Sequence, residues 1–207
     1  MTMQRYCNAI RTAGIVPTTV LEIGSRDGHD AKAIADHFGA SSVWVCEPNP
    51  SQADYIAQAY PNFNLVRKAI YKHSGKLEFI QMQGSPNEVG TSSLLDRSYD
   101  NLYANANRIE VEAITGRELL AMIEGPIGAC KVDVEGASLE VLQSMGDSIH
   151  RVQTFHLECE HEEVWVGQAL YNQVAAFMIA KGYEQVDFDF VMPGLQSDSI
   201  WIKAANL

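Results

Sequence analysis

Two glycines four residues apart, Gly24 and Gly28, close an apolar run that reads V-L-E-I-G-S-R-D-G from Val20, and the next apolar run, V-W-V-C-E-P-N-P from Val43, ends in a carboxylate at Glu47. Glycines let backbone come close to a ligand. An acidic side chain delivered beside them accepts hydrogen bonds from ribose hydroxyls. A second cluster is K-V-D-V-E-G, Lys131 to Gly136, at the end of another apolar run. Strand alternation puts Lys131, Asp133 and Glu135 on one side, and at the strand exit the carboxylates can face a cleft. Glu135 equally suits the first turn of the helix that follows, where it favours the dipole. A third cluster is F-H-L-E-C-E-H-E-E-V-W, Phe155 to Trp165. There Glu158 and His161 have the reach of a base, a metal ligand or a substrate anchor. Asp133, Glu158 and His161 have the ligand types for a divalent cation, but such a loop is more often solvated, and no metal is assigned. His29, His37, His73 and His150 read as structural.

The ligand follows from spacing and charge. G-x-x-x-G departs from the G-x-G-x-x-G that cradles a pyrophosphate, and Glu22, Asp27 and Asp30 around the loop oppose two phosphates. They suit a cation. S-adenosylmethionine carries a sulfonium and an ammonium without a phosphate, and Glu47 then takes its ribose hydroxyls.

These residues need a scaffold. Apolar runs alternate with amphipathic stretches, which argues for a parallel sheet covered by helices. Strands are expected near 19–23, 43–47, 63–67, 129–134 and 152–158. Helices are expected from Asp27 to Phe38, stopping at Gly39, and over Ser51 to Tyr60, Gly116 to Ile123, Ser138 to Met145 and Ala169 to Lys181. Tyr183 to Val191 and Gln196 to Lys203, joined by M-P-G-L, read as an antiparallel hairpin at the sheet's end. The polar stretch Gly84 to Asn107, of lid length, reads as an active-site loop, with a roleless insertion as the plainer alternative.

The 207 residues are 46% hydrophobic, enough for one domain over 1–207 with a helical lead-in over 1–18. The formal charge of −11 and the lack of a basic patch disfavour nucleic acid. No apolar run is long enough for a membrane span, and the opening M-T-M-Q-R-Y-C lacks the apolar core of a signal peptide, so a cytoplasmic chain without a membrane partner is expected. Cys7, Cys46, Cys130 and Cys159 show no C-x-x-C spacing and read as buried, unpaired thiols.

Taken in order, V-L-E-I-G-S-R-D-G, V-C-E-P-N-P, V-R-K-A-I with T-S-S-L, C-K-V-D-V-E-G-A-S-L-E-V-L, H-L-E-C-E-H and Q-S-D-S-I-W-I resemble the FkbM-type methyltransferases over about Val20 to Ile202. K-V-D-V-E-G followed by a helix is the most specific element. The resemblance implies an α/β, Rossmann-like class I methyltransferase fold, with a seven-stranded mostly parallel sheet, an antiparallel C-terminal hairpin and helices on both faces. It implies S-adenosylmethionine as methyl donor and a hydroxyl, often on a sugar or natural product, as acceptor. The implied cofactor residues are Glu22, Gly24 and Gly28 at the loop, Glu47 with Pro48 at the ribose, and Ala69 at the adenine, with Asp133 near the methyl-transfer point. Ser25, Arg26 and Asp27 fall in the same site, although relatives commonly place small residues there; Arg26 points to solvent or receives substrate.

The expected chemistry is transfer to a glycan or small-molecule hydroxyl. Asp133 or Glu158, assisted by His161, takes the proton, Thr91, Ser92 and Ser93 close over the acceptor, and Glu135 lies on the acceptor side. Two other classes remain open: an NAD-dependent oxidoreductase on a related fold, and a catalytically silent domain that binds cofactor or a partner.

Overall fold

The computed structural model describes residues 3–85, 89–98 and 106–206. Helix α1 (Met3–Thr12) leads into β1 (Thr19–Ile23), α2 (His29–Phe38), β2 (Ser42–Cys46), α3 (Pro50–Ala59) and β3 (Asn64–Val66). After β4 (Ala69–Ile70), β5 (Gly75–Met82) and β6 (Ala106–Ile114) come α4 (Gly116–Met122), β7 (Ala129–Val132), α5 (Ser138–Ser144) and β8 (Thr154–Glu160). The chain ends with α6 (Tyr171–Ala180), β9 (Tyr183–Met192) and β10 (Gln196–Lys203).

Seven strands form the main sheet in the order β3-β2-β1-β7-β8-β10-β9. All neighbours from β3 to β8 are parallel, and β10 runs antiparallel to both β8 and β9. This is the mostly parallel sheet with a terminal hairpin that the sequence led us to expect. Every residue of β1 is buried, as a central parallel strand covered on both faces requires. Leu21, Ile23, Val132, Phe155 and Leu157 pack with Leu119, Leu120 and Val141 on one face. On the other, Val20, Val45, Ala129 and Ile200 pack with Tyr6, Ile10, Ile34 and Ile56. Connections leave β1 for β2 on one side and reach β7 on the other, so the carboxyl end of β1 opens onto a crevice between diverging crossovers.

The N-terminal helix is bound to this sheet. The Tyr6 hydroxyl accepts from the Cys130 N–H at 3.0 Å, and Arg5 pairs with Asp187 and Asp189 of β9. All four cysteines are buried and unpaired. Among the described residues no helix is long and apolar enough to cross a membrane.

Three departures from the sequence expectation bear on function. First, β7 stops at Val132 because Glu135 (φ 50°) and Gly136 (φ 90°) turn the chain out of the sheet. Second, a 3-10 turn over Gly146–Arg151 delays β8, and pairing with β10 then carries it through Glu160, two residues beyond the expected end. Third, β4, β6 and β5 make a separate three-stranded sheet that the sequence reading passed over. Its signal was present in β5, where exposed Lys76 and Glu78 alternate with Leu77 and Phe79. The last residues of the expected 84–107 loop lie in β6, and residues 86–88 and 99–105 of it lie outside the described residues.

Candidate functional site

At the carboxyl end of β1 the chain is pressed backbone to backbone against the exit of β7. Gly24 sits at φ 77°, and a Cβ there would lie 1.8 Å from the carbonyl oxygen of Asp133. The Asp133 N–H donates to the Ile23 carbonyl at 2.9 Å, and the Gly24 N–H to the Cys46 carbonyl at 3.0 Å. No side chain fits. Gly28, at φ 78°, is excluded from bearing one by the Tyr60 ring, 2.9 Å from the position of a Cβ. Between them Ser25 Oγ donates to Glu22 Oε2 at 2.7 Å and accepts from the Gly28 N–H at 3.0 Å. Glu22 Oε2 also accepts from the Ala31 N–H in the first turn of α2, so this carboxylate braces the loop from beneath.

Glu47 follows β2 and is 5% exposed. Its Oε2 accepts from the Arg26 N–H and its Oε1 from the Asn49 N–H, both at 2.7 Å. The first bond holds Arg26 at φ 55°, a conformation uncommon outside glycine. Burial pushes the Glu47 carboxyl up to about 7 against the pull of these N–H groups. Burial raises Glu22 to about 7 as well, opposed by Lys131.

Lys131, 7% exposed, reaches Asp30 Oδ2 at 2.6 Å, Asp133 Oδ2 at 2.9 Å and Glu22 Oε1 at 3.7 Å. Burial opposes its charge, but the three carboxylates outweigh it and hold the ammonium well above its ordinary range. Burial likewise raises Asp133, yet the charge and hydrogen bond of Lys131, with a hydrogen bond from Glu158, bring it below its usual value. Glu158 and Glu135 respond differently, although Arg97 and Lys131 draw Glu135 down in part. Burial first, and Asp133 second, push both well above the carboxylate range. The site therefore favours the ionised form of Asp133 beside acids driven toward their neutral forms, a division of labour typical of acid–base sites. Asp133, Glu135 and Glu158 each offer an oxygen, all within 4.8 Å of one another.

These groups line one cavity of about 850 Å³, a volume suited to a cofactor and a small acceptor together. Its lining includes Gly24 to Asp27, Glu47 and Pro48, the apolar side chains of Ala69, Ile70 and Phe79, and Glu135, Glu158, Glu160, Arg97, Trp165 and Met192. Thr91, Ser92 and Ser93 line it too, but two of these hydroxyls already hold the loop: Ser92 Oγ donates to the Val89 carbonyl and Ser93 Oγ to the Glu135 carbonyl. Arg26 pairs with Asp27 at 3.0 Å at the cavity edge, half exposed.

Three expected residues lie elsewhere. Among the described residues lining the cavity, Glu22 and Gly28 are absent; one braces the loop and the other clears Tyr60. His161 is the larger correction. Because β8 continues through Glu160, alternation turns His161 to the face opposite Glu158 and Glu160. Its ring stacks on Tyr171, its Nε2 lies 2.8 Å from Ser197 Oγ, and Glu135 stands in its place beside Asp133 and Glu158. The sequence places Lys131 beside Asp133 without giving it a role, and it does not single out Asn49, Glu160, Arg97 or Trp165. A lone lysine inside an apolar strand marked the first, and the period-two E-C-E marked Glu160; Arg97 and Trp165 meet only through the tertiary fold, the guanidinium 4.6 Å over the indole.

The family model described as the methyltransferase FkbM domain matches residues 22–185. No curated protein sequence matches the chain. Similar solved structures include a magnesium protoporphyrin IX methyltransferase from Synechocystis PCC 6803, at 10% identity and TM-score 0.54 over 97% of this chain and 77% of that one. Another is a ribosomal protein L11 methylase from Lactobacillus delbrueckii subsp. bulgaricus, at 10% identity and TM-score 0.53 over 95% and 76%. A third is a fibrillarin pre-rRNA processing protein from Methanococcus jannaschii, at 11% identity and TM-score 0.53 over 92% and 68%. At such identities the likeness is one of fold.

The contact between Gly24 and Asp133 makes a direct test. Gly24→Ala adds a left-handed alanine, about 1–2 kcal/mol, to a steric overlap with the Asp133 carbonyl. Chemical denaturation is expected to show a loss of at least about 2 kcal/mol; an unchanged midpoint would contradict the close approach.

Proposed function

This chain belongs to the FkbM methyltransferase family, and we propose that it moves the methyl group of S-adenosylmethionine to a hydroxyl on a sugar, a glycan or a small metabolite. The observation that carries this reading is Glu47, a buried carboxylate gripped by backbone N–H groups of the glycine loop and of Asn49, in the wall of the cavity. The residues present suit the cofactor. Asp27, Asp30 and Asp133 line the loop side, which favours a sulfonium and an ammonium over phosphates. Glu47 accepts from ribose hydroxyls, and Ala69, Ile70 and Phe79 offer an apolar wall to a purine.

When bound, S-adenosylmethionine supplies a methyl carbon activated by its sulfonium. The protein aligns the acceptor oxygen, excludes water and takes a proton. A hydroxyl oxygen forming a bond to carbon becomes strongly acidic, so a carboxylate of ordinary or low basicity can accept its proton. Asp133, kept ionised by Lys131, fills this role, and Glu158 supports it through their hydrogen bond. Thr91, with the loop that Ser92 and Ser93 pin down, covers the acceptor. Arg97 over Trp165 and the acids Glu135 and Glu160 contact the acceptor itself. The formal charge of −11 favours an acceptor without a polyphosphate backbone.

Two measurements check this reading. S-adenosylhomocysteine affinity, followed by calorimetry, should rise with pH through about 7 and level off above it. Glu47 is raised in the free protein, and ribose hydroxyls favour its ionised form, so binding releases a proton below that pH. Glu47→Gln should bind more weakly and lose this dependence; an unchanged profile would remove Glu47 from the site. In a transfer assay with labelled S-adenosylmethionine over a panel of sugars, glycans and metabolites, Asp133→Asn and Glu158→Gln should lower turnover by ~100-fold or more while S-adenosylhomocysteine still binds. Full turnover in both variants would refute the proton-transfer assignment.

A further inference from the structure

Asn49, at the turn from β2 into α3, is 1% exposed and lines the cavity that holds Glu47. Its Oδ1 accepts from the Ser51 N–H at 3.2 Å, from Ser51 Oγ at 2.9 Å and from Gln81 Nε2 at 2.8 Å. A backbone N–H can only donate, so the first of these bonds fixes which end of the amide is oxygen. The other end is left over. Asn49 Nδ2 is buried and has no hydrogen-bond partner among the described residues.

Capping α3 does not account for that group. The cap uses only the oxygen, and aspartate or serine caps a helix as well as asparagine does. A buried donor without a partner is costly to maintain, which points to an acceptor that arrives with a ligand. The Asn49 N–H donates to Glu47 Oε1 at 2.7 Å, so the amide is held in a fixed relation to the carboxylate assigned to the ribose. Gln81, from β5 of the smaller sheet, completes the clamp and ties that sheet to this wall of the cavity.

We propose that Asn49 is a cofactor-binding residue whose Nδ2 donates to an acceptor atom of the adenosine moiety, a purine nitrogen or a ribose oxygen. The proposal rests on the S-adenosylmethionine reading. It adds a donor beside the acceptor Glu47, so that a nucleoside is recognised through both kinds of group.

Calorimetry with S-adenosylhomocysteine at pH 8 on wild type, Asn49→Asp and Asn49→Ser tests it. Both variants keep a capping oxygen and lack the amide donor. Each is expected to bind at least ~10-fold more weakly, one hydrogen bond being worth about that factor, and Asn49→Ser, which adds no buried charge, is expected to keep the melting temperature of the unliganded protein near that of wild type. A series of 1-deaza, 3-deaza, 7-deaza, 2′-deoxy and 3′-deoxy analogues then finds the acceptor. The analogue lacking it should lose ~10-fold on wild type and little further on Asn49→Ser. Unchanged affinity in both variants overturns the assignment, as does an analogue series whose losses are the same on wild type and Asn49→Ser. If those variants bind normally, only the Asn49 assignment falls; a wild type that does not bind S-adenosylhomocysteine overturns the methyltransferase reading and this one together.

Discussion

Lys131 Nζ is the charge on which the site is built. It contacts Asp30 at the start of α2, Asp133 at the exit of β7 and, at longer range, Glu22 in β1, so one ammonium joins the three elements that converge at the crevice. The chain carries a formal charge of −11, and several of its acids are gathered in this cavity. Without a buried cation those carboxylates would repel one another or take up protons. Breaking a buried charge network by removing one partner typically costs about 3–5 kcal/mol, because the remaining charges stay unpaired. Lys131 thus underlies both the fold of the loop and the chemistry beside it.

Its reach sets a gradient of proton affinity. Asp133, in contact with Lys131, stays ionised, while Glu158 and Glu135, beyond its contact, are driven toward their neutral forms by burial and by Asp133. The glycine loop contributes the steric counterpart. Gly24 lets two backbones meet where any side chain would intrude, which brings Asp133 against the loop that bears Ser25 and Arg26. Arg26, in turn, spends its backbone N–H on Glu47. Charge, close approach and hydrogen bonding are therefore linked through consecutive residues, and a change at one is transmitted to the others.

Much of this was legible from local pattern. The β1 run, its glycines and Glu47 at the end of β2 announce themselves because strand, turn and helix signals lie within a few residues of each other. The limits are equally physical. Glu22 has the position of a ligand-binding acid, yet the Ser25 hydroxyl and the Ala31 N–H claim it for the loop. His161 faces away from Glu158 because pairing with β10, some forty residues later in the chain, keeps β8 extended through Glu160, and strand alternation then sets position 161 on the face opposite 158. The smaller sheet escaped notice because β5 is half exposed and its partner β6 is carried in from beyond a long polar segment. Asn49 is invisible to any one-dimensional reading. Its significance lies in what its oxygen has already bonded and its nitrogen has not.

The central claim is that the loop, Glu47 and Asp133 form one S-adenosylmethionine site, and a crystal structure with S-adenosylhomocysteine tests it most directly. The account predicts the nucleoside in the cavity with its ribose hydroxyls on the Glu47 carboxylate, its purine against Ala69 and Phe79, and its sulfur on the Asp133 side of the Gly24 loop. A nucleoside bound elsewhere, or bound in the cavity with Glu47 unengaged, would contradict it.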